Sequence, residues 1–344
     1  MKNSRLRVTT NMSNLAALDA TKTGIEFLVW PRSSLGLWGR IRAISRAFGS
    51  DYIYFDGLAV DALILLTVKR VLLPFNRTRV VVMNLLTTTP QTRGDKFRFA
   101  IIAWCLRGAW RIVQYHRDTT ELQRYMRIPA ERFAFIPFKV NQLELVQNTK
   151  VTDGGYIFCG GKTRRDFDTF IAAVSQLPYP VKIVTTSNDD IRQHGSYLAE
   201  QRSLPPHVEV VRLDGSAKPF IELVAASRLV VMPIKPDICG VGIGVYLLGM
   251  ALRKCVVISA GPSTTADLVG DRGVDLAVLV PPENPAALRD AIQKAWTNDA
   301  WREEVAAKGH EYAQQCAGEE RLLASISNWL LNDARQTGCA KVPA

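Results

Sequence analysis

The chain has 344 residues, of which 47 % are apolar and 22 % charged, with 23 glycines and 17 prolines. A chain of this size and make-up builds about two globular domains with full cores, which excludes a disordered, collagen-like or fibrous protein and removes the need for metal or disulfide staples. Basic side chains number 43 and acidic ones 32, a net charge of +11, and the excess is one-sided: residues 1–150 carry 23 basic and 10 acidic groups, net +13, and the remainder is net −2. Such asymmetry suits a surface that faces a membrane, nucleic acid or a phosphorylated substrate, or else a basic face that is merely solvated.

In chain order, the opening MKNSRLRVTTNMSN lacks the apolar run of a secretory signal. Strands are then expected at Glu26–Trp30, Tyr52–Asp56, Arg79–Asn84, Arg111–Tyr115 and Phe133–Phe138. Helices are expected between them, at Gly36–Phe48, Leu58–Leu72, Lys96–Gly108 and Thr119–Met126. A polar stretch, KVNQLELVQNTKVTD (Lys139–Asp153), separates this series from a second one. The second series has strands at Gly155–Cys159, Val181–Thr186, Val208–Leu213, Leu229–Ile234, Cys255–Ser259 and Ala277–Val280. Runs such as RLVVMPI and KCVVISA are continuously apolar, the pattern of strands buried on both faces in a parallel sheet. The expected fold is α/β, with two Rossmann-like doubly wound domains over residues 1–145 and 146–318. A last helix, Glu320–Asn332, places Leu322, Ile326, Trp329 and Leu330 on one stripe of the segment 319–344.

Six scattered cysteines (Cys105, Cys159, Cys239, Cys255, Cys316 and Cys339) form no CxxC pair and no histidine-spaced cluster. This points away from zinc and disulfides and towards a reducing cytoplasm. The longest charge-free run, Ile238–Leu252, has 15 residues and four glycines, short of the roughly 20 apolar residues that span a bilayer.

Two segments have the chemistry of an anion site. Gly160-Gly161-Lys162-Thr163-Arg164-Arg165-Asp166 follows a strand and opens a helix. Its glycines let backbone amides approach a ligand closely, and Lys162 and Arg165 add fixed cations, the combination that a diphosphate needs. Gly240-Val241-Gly242-Ile243-Gly244-Val245 likewise leads into a helix, where it offers amides to an anion or permits close packing on the sheet. A third segment, PPENPAAL at Pro281–Leu288, reads as a strand end, a rigid turn and a helix start.

With these segments in this order, followed by MALRKCVVIS and DLAVLVPPENPAALRDAI, residues Gly155–Tyr312 resemble the C-terminal domain of GT-B-fold glycosyltransferases of family 4, or group 1. The run RIVQYHRDTTELQRYMRIPAERFAFIPFKVN resembles the part of such enzymes that leads into their interdomain linker. The resemblance implies transfer of a sugar from a nucleotide-diphosphate donor held on the second domain to an acceptor held on the first, with no metal and no other cofactor. It also implies a final helix that crosses back to the first domain. On this basis the donor residues would be Gly160, Gly161, Lys162, Arg165, Gly240, Gly242, Ile243, Gly244 and Val245. Members of the family usually carry two glutamates around the glycine-rich helix start, one for the donor sugar and one for the ribose. Here Gly240 and Leu248 occupy those positions, and Asp237 is the nearest substitute for the first.

A sugar transfer with inversion needs a base beside the acceptor hydroxyl. Asp56 and His116, each at the end of a strand of the first domain, are the candidates. The basic first domain, with Trp38, Arg40, Arg42, Trp104, Arg107, Trp110 and Arg111, suggests docking on an anionic membrane. The expected enzyme therefore works in the cytoplasm at the inner membrane face, on a lipid-linked or polysaccharide acceptor, and without nucleic acid. The rival readings are a nucleotide-sugar epimerase of the same fold and a non-catalytic nucleic-acid or scaffold protein.

Overall fold

In the computed structural model of the protein, the described residues are 5–31, 37–200, 203–238, 240–269 and 275–338. The chain forms two compact units: Met1–Ile136 with Leu322–Ala344, and Pro137–Arg321. The division falls at Ile136–Pro137, ahead of the expected 145–146. The linker is fastened to the second unit early: Val140 N–H donates to the Ala317 carbonyl at 2.8 Å and Lys139 pairs with Glu319.

Unit 1 is built on a six-stranded parallel sheet in the order β2-β1-β3-β4-β5-β6. These strands are β1 (Leu6–Thr10), β2 (Ile25–Val29), β3 (Tyr52–Asp56), β4 (Arg79–Met83), β5 (Arg111–Gln114) and β6 (Phe133–Phe135). The central strands are buried on both faces, as their apolar runs require: Ile53, Val81, Val82 and Val113 are fully enclosed. Helices Leu37–Ala47, Val60–Val71, Arg93–Leu106 and Thr120–Met126 make the crossovers. The Arg93–Leu106 helix starts on a reciprocal cap: the Thr92 hydroxyl accepts from Asp95 N–H and the Asp95 carboxylate accepts from Thr92 N–H, both at 3.1 Å.

From Leu322 on, the last helix, Glu319–Gln336, belongs to unit 1 and is pinned there by a buried carboxylate. Asp333 accepts from Tyr52 Oη at 2.6 Å and from Trp110 Nε1 at 2.8 Å, and Arg111 Nε lies 3.6 Å away. Trp110, expected on a membrane-facing surface, is therefore part of this network. The stripe read from the sequence is the packed face: Leu322, Ile326 and Leu330 are buried, and the Trp329 ring lies 6.4 Å from that of Tyr54.

Unit 2 repeats the plan with the order β12-β11-β10-β7-β8-β9, again all parallel. Its strands are β7 (Ile157–Gly160), β8 (Val181–Thr185), β9 (Val208–Arg212), β10 (Leu229–Met232), β11 (Val256–Ser259) and β12 (Val278–Val280). The Pro285–Thr297 helix is capped by Asn284 and the Asp299–Cys316 helix by Asn298, whose side chains accept from Ala287 and Trp301 N–H, each at 3.0 Å. Cys105, Cys159, Cys255 and Cys316 are buried and in no disulfide, and Cys239 and Cys339 lie outside the described residues. No helix among the described residues is long and apolar enough to cross a membrane.

Candidate functional site

In unit 2 the strand order reverses between β7 and β10: the chain runs from β7 outward to β9, then returns to place β10 on the other side of β7. Loops diverge at the carboxyl ends of two such strands and leave a crevice where open α/β sheets take ligands. The turn after β7 and the segment after β10 are stitched together there. Asp166 N–H donates to the Pro233 carbonyl at 3.0 Å, and Lys235 N–H donates to the Arg164 carbonyl at 3.0 Å.

A cavity of about 290 Å³ opens at this edge, entirely within unit 2. Gly161 and Lys162 from the turn after β7 line it, as do Gly244, Val245 and Leu248 from the Ile243–Ala251 helix. Thr185 and Thr186 at the end of β8, and Leu213, Ser216, Phe220 and Ile221 after β9, complete most of the remaining wall. The fold thus gathers the two glycine-rich segments, some eighty residues apart in the chain, on one cavity.

Lys162 is the cation of this wall. Its side chain is 44 % exposed and reaches Asp190 at 3.3 Å. Asp190 also accepts from the Thr186 hydroxyl at 2.6 Å. That hydroxyl foremost, then Lys162 against the opposing effect of burial, hold the Asp190 carboxyl below its usual range. The ammonium is therefore tethered by a carboxylate and still open to a second anion.

Arg165 is placed differently from the expectation. It is 2 % exposed, donating Nε–H to the Gly160 carbonyl at 2.8 Å and Nη1–H to the Thr163 carbonyl at 2.9 Å. Burial lowers its guanidinium to about 10, so it stays cationic at neutral pH. Both glycine segments fold over it. A Cβ on Gly161 (φ +108°) would stand 2.5 Å from Arg165 Nη2, and one on Gly242 (φ +89°) would stand 2.9 Å from Ile234 Cδ1 and 3.6 Å from Arg165 Nη1. Left-handed backbone and lack of room both call for glycine at these two positions. Arg165 is a positioning residue that shapes both segments from beneath.

Gly242 is the N-cap of the Ile243–Ala251 helix, whose first amides have no acceptor within it and carry the positive end of its dipole. Gly160 ends β7 against the Phe158 and Phe220 rings. Asp237, considered as a donor carboxylate, is not on the cavity wall: its side chain is 1 % exposed and pairs with Arg164 Nε at 2.7 Å. Gly240 is buried and also off the wall. Asp166 of the run Asp166-Phe167-Asp168 caps its helix, accepting from Thr169 N–H at 3.2 Å.

In unit 1, Asp56 ends β3 and His116 follows β5, with β4 between these strands, at the carboxyl edge of their sheet. Asp56 is clasped to Asn11 through its backbone. Asp56 N–H donates to Asn11 Oδ1 at 2.8 Å, and Asn11 Nδ2–H donates to the Asp56 carbonyl at 2.9 Å. The Asp56 carboxylate lies close enough to Tyr115 to raise that phenol, after burial, above its ordinary range. His116 is 2 % exposed, and its Nδ1–H donates to the Asp118 carbonyl at 2.7 Å. That bond fixes the tautomer and leaves the lone pair on Nε2. Burial, the largest influence, keeps the imidazole below its usual value.

Residues 155–298 match the family model for glycosyl transferases group 1. No curated protein matches the chain significantly. Among solved structures, a sucrose-phosphate synthase from Thermosynechococcus elongatus is similar with a TM-score of 0.64 at 16 % identity, over 98 % of this chain and 100 % of that one. Anabaena HepE in complex with UDP and glucose is similar with a TM-score of 0.63 at 14 % identity, over 95 % and 99 %. An α,α-trehalose 6-phosphate synthase from Burkholderia multivorans follows at 0.59 and 11 % identity, over 98 % and 99 %. The chain thus has the GT-B-like fold and carries a glycosyl transferases group 1 domain over residues 155–298.

Proposed function

We propose that the protein transfers a sugar, of the hexose type, from a nucleotide-diphosphate sugar bound in the unit 2 cavity to a lipid-linked or polysaccharide acceptor at the cytoplasmic membrane face. One observation carries the donor assignment: Gly161 and Lys162 share a cavity with the start of the Ile243–Ala251 helix. A diphosphate seated there accepts from helix amides on one side and from Lys162 on the other. The complex of HepE with UDP and glucose supports this reading.

In the reaction the bond between the anomeric carbon and the donor phosphate oxygen breaks. A bond to the acceptor oxygen forms, and the acceptor hydroxyl loses its proton. The nucleoside diphosphate leaves with an additional negative charge, which Lys162 and the helix amides are placed to stabilise. With those charges in place the transfer runs without a metal ion, so turnover persists in excess EDTA; a return of activity only on adding a divalent cation contradicts this. If the transfer inverts the sugar, Asp56 or His116 takes the acceptor proton.

The membrane location has its own support in unit 1. Among the described residues, 13 of 16 exposed large apolar side chains belong to that unit. Phe97, Ile101 and Trp104 form a solvent-facing stripe on the Arg93–Leu106 helix, and Val71, Leu72 and Phe75 stand out at and just past the end of the Val60–Val71 helix. Arg70 joins the two groups, its guanidinium 4.7 Å from the Trp104 ring centre. Apolar and aromatic side chains ringed by arginine suit an anionic headgroup layer, where each basic residue contributes about 1 kcal/mol. Vesicle flotation tests this: binding to anionic but not neutral vesicles, lost at high salt, is expected, and binding to neither rules the location out.

A further inference from the structure

Lys162 shares its charge with Asp190, which stands in the first turn of the short helix Asn188–Gln193. The two carboxylate oxygens of Asp190 lie 3.3 and 3.4 Å from the ammonium. Asp190 itself is off the cavity wall, and Thr186, which is on the wall, holds it there by donating its hydroxyl proton at 2.6 Å. His194 is tied first to the backbone of Asp190: its Nδ1 lies 2.7 Å from the main-chain carbonyl and 3.3 Å from Oδ1. An acid in the first turn of a helix ordinarily answers the helix dipole. The neighbouring Asp189 is placed that way, with its side chain 88 % exposed and turned to Arg192 at 3.7 Å. Asp190 is turned instead to the cation of the cavity wall.

A phosphate that accepts from Lys162 therefore meets an ammonium already paired with a carboxylate. With contacts of about 3 Å to one nitrogen, the two anions stand within about 6 Å of each other. Like charges at that range disfavour each other, and the penalty grows with the charge of the ligand. A nucleotide sugar and the nucleoside diphosphate released from it have the same two phosphates. The free terminal phosphate of the product carries one more negative charge above its second ionisation, near a pH of about 6.

We infer that Asp190 makes the donor site discriminate by ligand charge: it loosens the hold of Lys162 on the nucleoside diphosphate product more than on the nucleotide-sugar donor, and so helps to clear the product after transfer. Asp190 acts through Lys162 and is a positioning residue. The inference rests on the donor assignment above.

The test is calorimetric titration of the full chain, as wild type, Asp190→Asn and Asp189→Asn, at low salt and a pH of about 8, where the terminal phosphate is fully ionised. The probes are UDP and UDP-glucose, ADP and ADP-glucose, GDP and GDP-glucose, and thymidine diphosphate and its glucose ester. Contacts to the sugar cancel when each probe is compared across the proteins. In the pair that binds best, Asp190→Asn should tighten the nucleoside diphosphate about 3- to 10-fold more than the nucleotide sugar. The difference should shrink at high salt, which a merely structural role would not produce. Asp189→Asn removes the same charge from the same helix away from Lys162 and should leave the ratio unchanged. Asp190→Asn keeps an oxygen for the Thr186 hydroxyl, and Asp190→Ala makes the same comparison if that variant does not fold. A ratio that moves by less than about twofold, weaker binding of the nucleoside diphosphate to Asp190→Asn, or an equal change in Asp189→Asn overturns the inference while leaving the donor assignment standing. Failure of every probe to bind wild type at millimolar concentration overturns the donor assignment itself.

Discussion

Each sheet reverses its strand order once, and the two reversal points are finished in opposite ways. In unit 2 the gap between β7 and β10 is held by backbone bonds across a buried arginine, leaving amides, a lysine and an apolar wall around a cavity. In unit 1 the corresponding point, between β1 and β3, is clasped by Asn11 on the backbone of Asp56, and titratable groups gather beside it. On the proposed reading, the same topology makes a place for an anion in one unit and a place for proton chemistry in the other. What differs is the side chains at the strand ends, not the strands.

The sharpest break of that contrast is at the proton side. Replacing the true base, by Asp56→Asn or His116→Ala, should lower turnover by about 10²- to 10⁴-fold while nucleoside diphosphate affinity stays at the wild-type value. Asp56 engages Asn11 only through its backbone in that clasp, so Asp56→Asn leaves the clasp intact. Near-full activity in both variants removes the assignment, as does a transfer that retains the anomeric configuration.

A smaller but global effect is expected from the arginine beneath the glycines. Arg165→Met strands the Gly160 and Thr163 carbonyls in a buried site, at a cost of roughly 2–5 kcal/mol. Denaturant unfolding should show this as a lower midpoint at unchanged slope. Arg165→Lys should recover only part of it, because an ammonium cannot reach two carbonyls in the fixed fork of a guanidinium. Wild-type stability in Arg165→Met means the buried guanidinium does not hold the turn.

The mildest effect concerns acidity. Burial places the folded His116 below the ordinary histidine value of 6.5, so the unfolded chain binds more protons than the folded one just under pH 6.5. Its contribution to stability is complete above pH 6.5 and is lost as pH falls from there through the folded value. Thermal unfolding across pH 5–8 should show His116→Gln losing less stability than wild type on acidification. If His116 is the base, the acid limb of the rate profile also lies below pH 6.5. A parallel pH course in both proteins contradicts the buried neutral state.

Much of the layout was legible because continuous apolar runs leave little choice: all six strands of the second sheet, and β2 to β6 of the first, are where those runs place them. β1 escaped notice because Leu6–Thr10 ends in two buried threonines, and Thr9 meets the Ser50 hydroxyl at 2.8 Å, a partnership visible only across strands. That Gly161, Lys162, Gly244 and Val245 share one cavity was legible in part, because their segments both follow parallel strands of one sheet. The inward turn of Arg165 was not, since it depends on Gly161 and Gly242 meeting over one side chain. Nor was the loss of Asp237 to Arg164, a pairing fixed by a left-handed residue at Arg164, with φ 54°. Thr185 and Thr186, at the end of β8 next to the reversal point, and Leu213, just past the edge strand β9, were read only as strand residues.

The contrast rests most directly on what the unit 2 cavity binds. Calorimetric titration of nucleoside diphosphates into wild type and Lys162→Ala addresses this with a residue that is 44 % exposed and whose loss spares the core. A charge-assisted contact contributes about 1.5–3 kcal/mol, so Lys162→Ala should weaken binding on the order of 10- to 150-fold at unchanged stoichiometry. Equal affinity in the two proteins would contradict the account, because the cavity would then hold no diphosphate against Lys162.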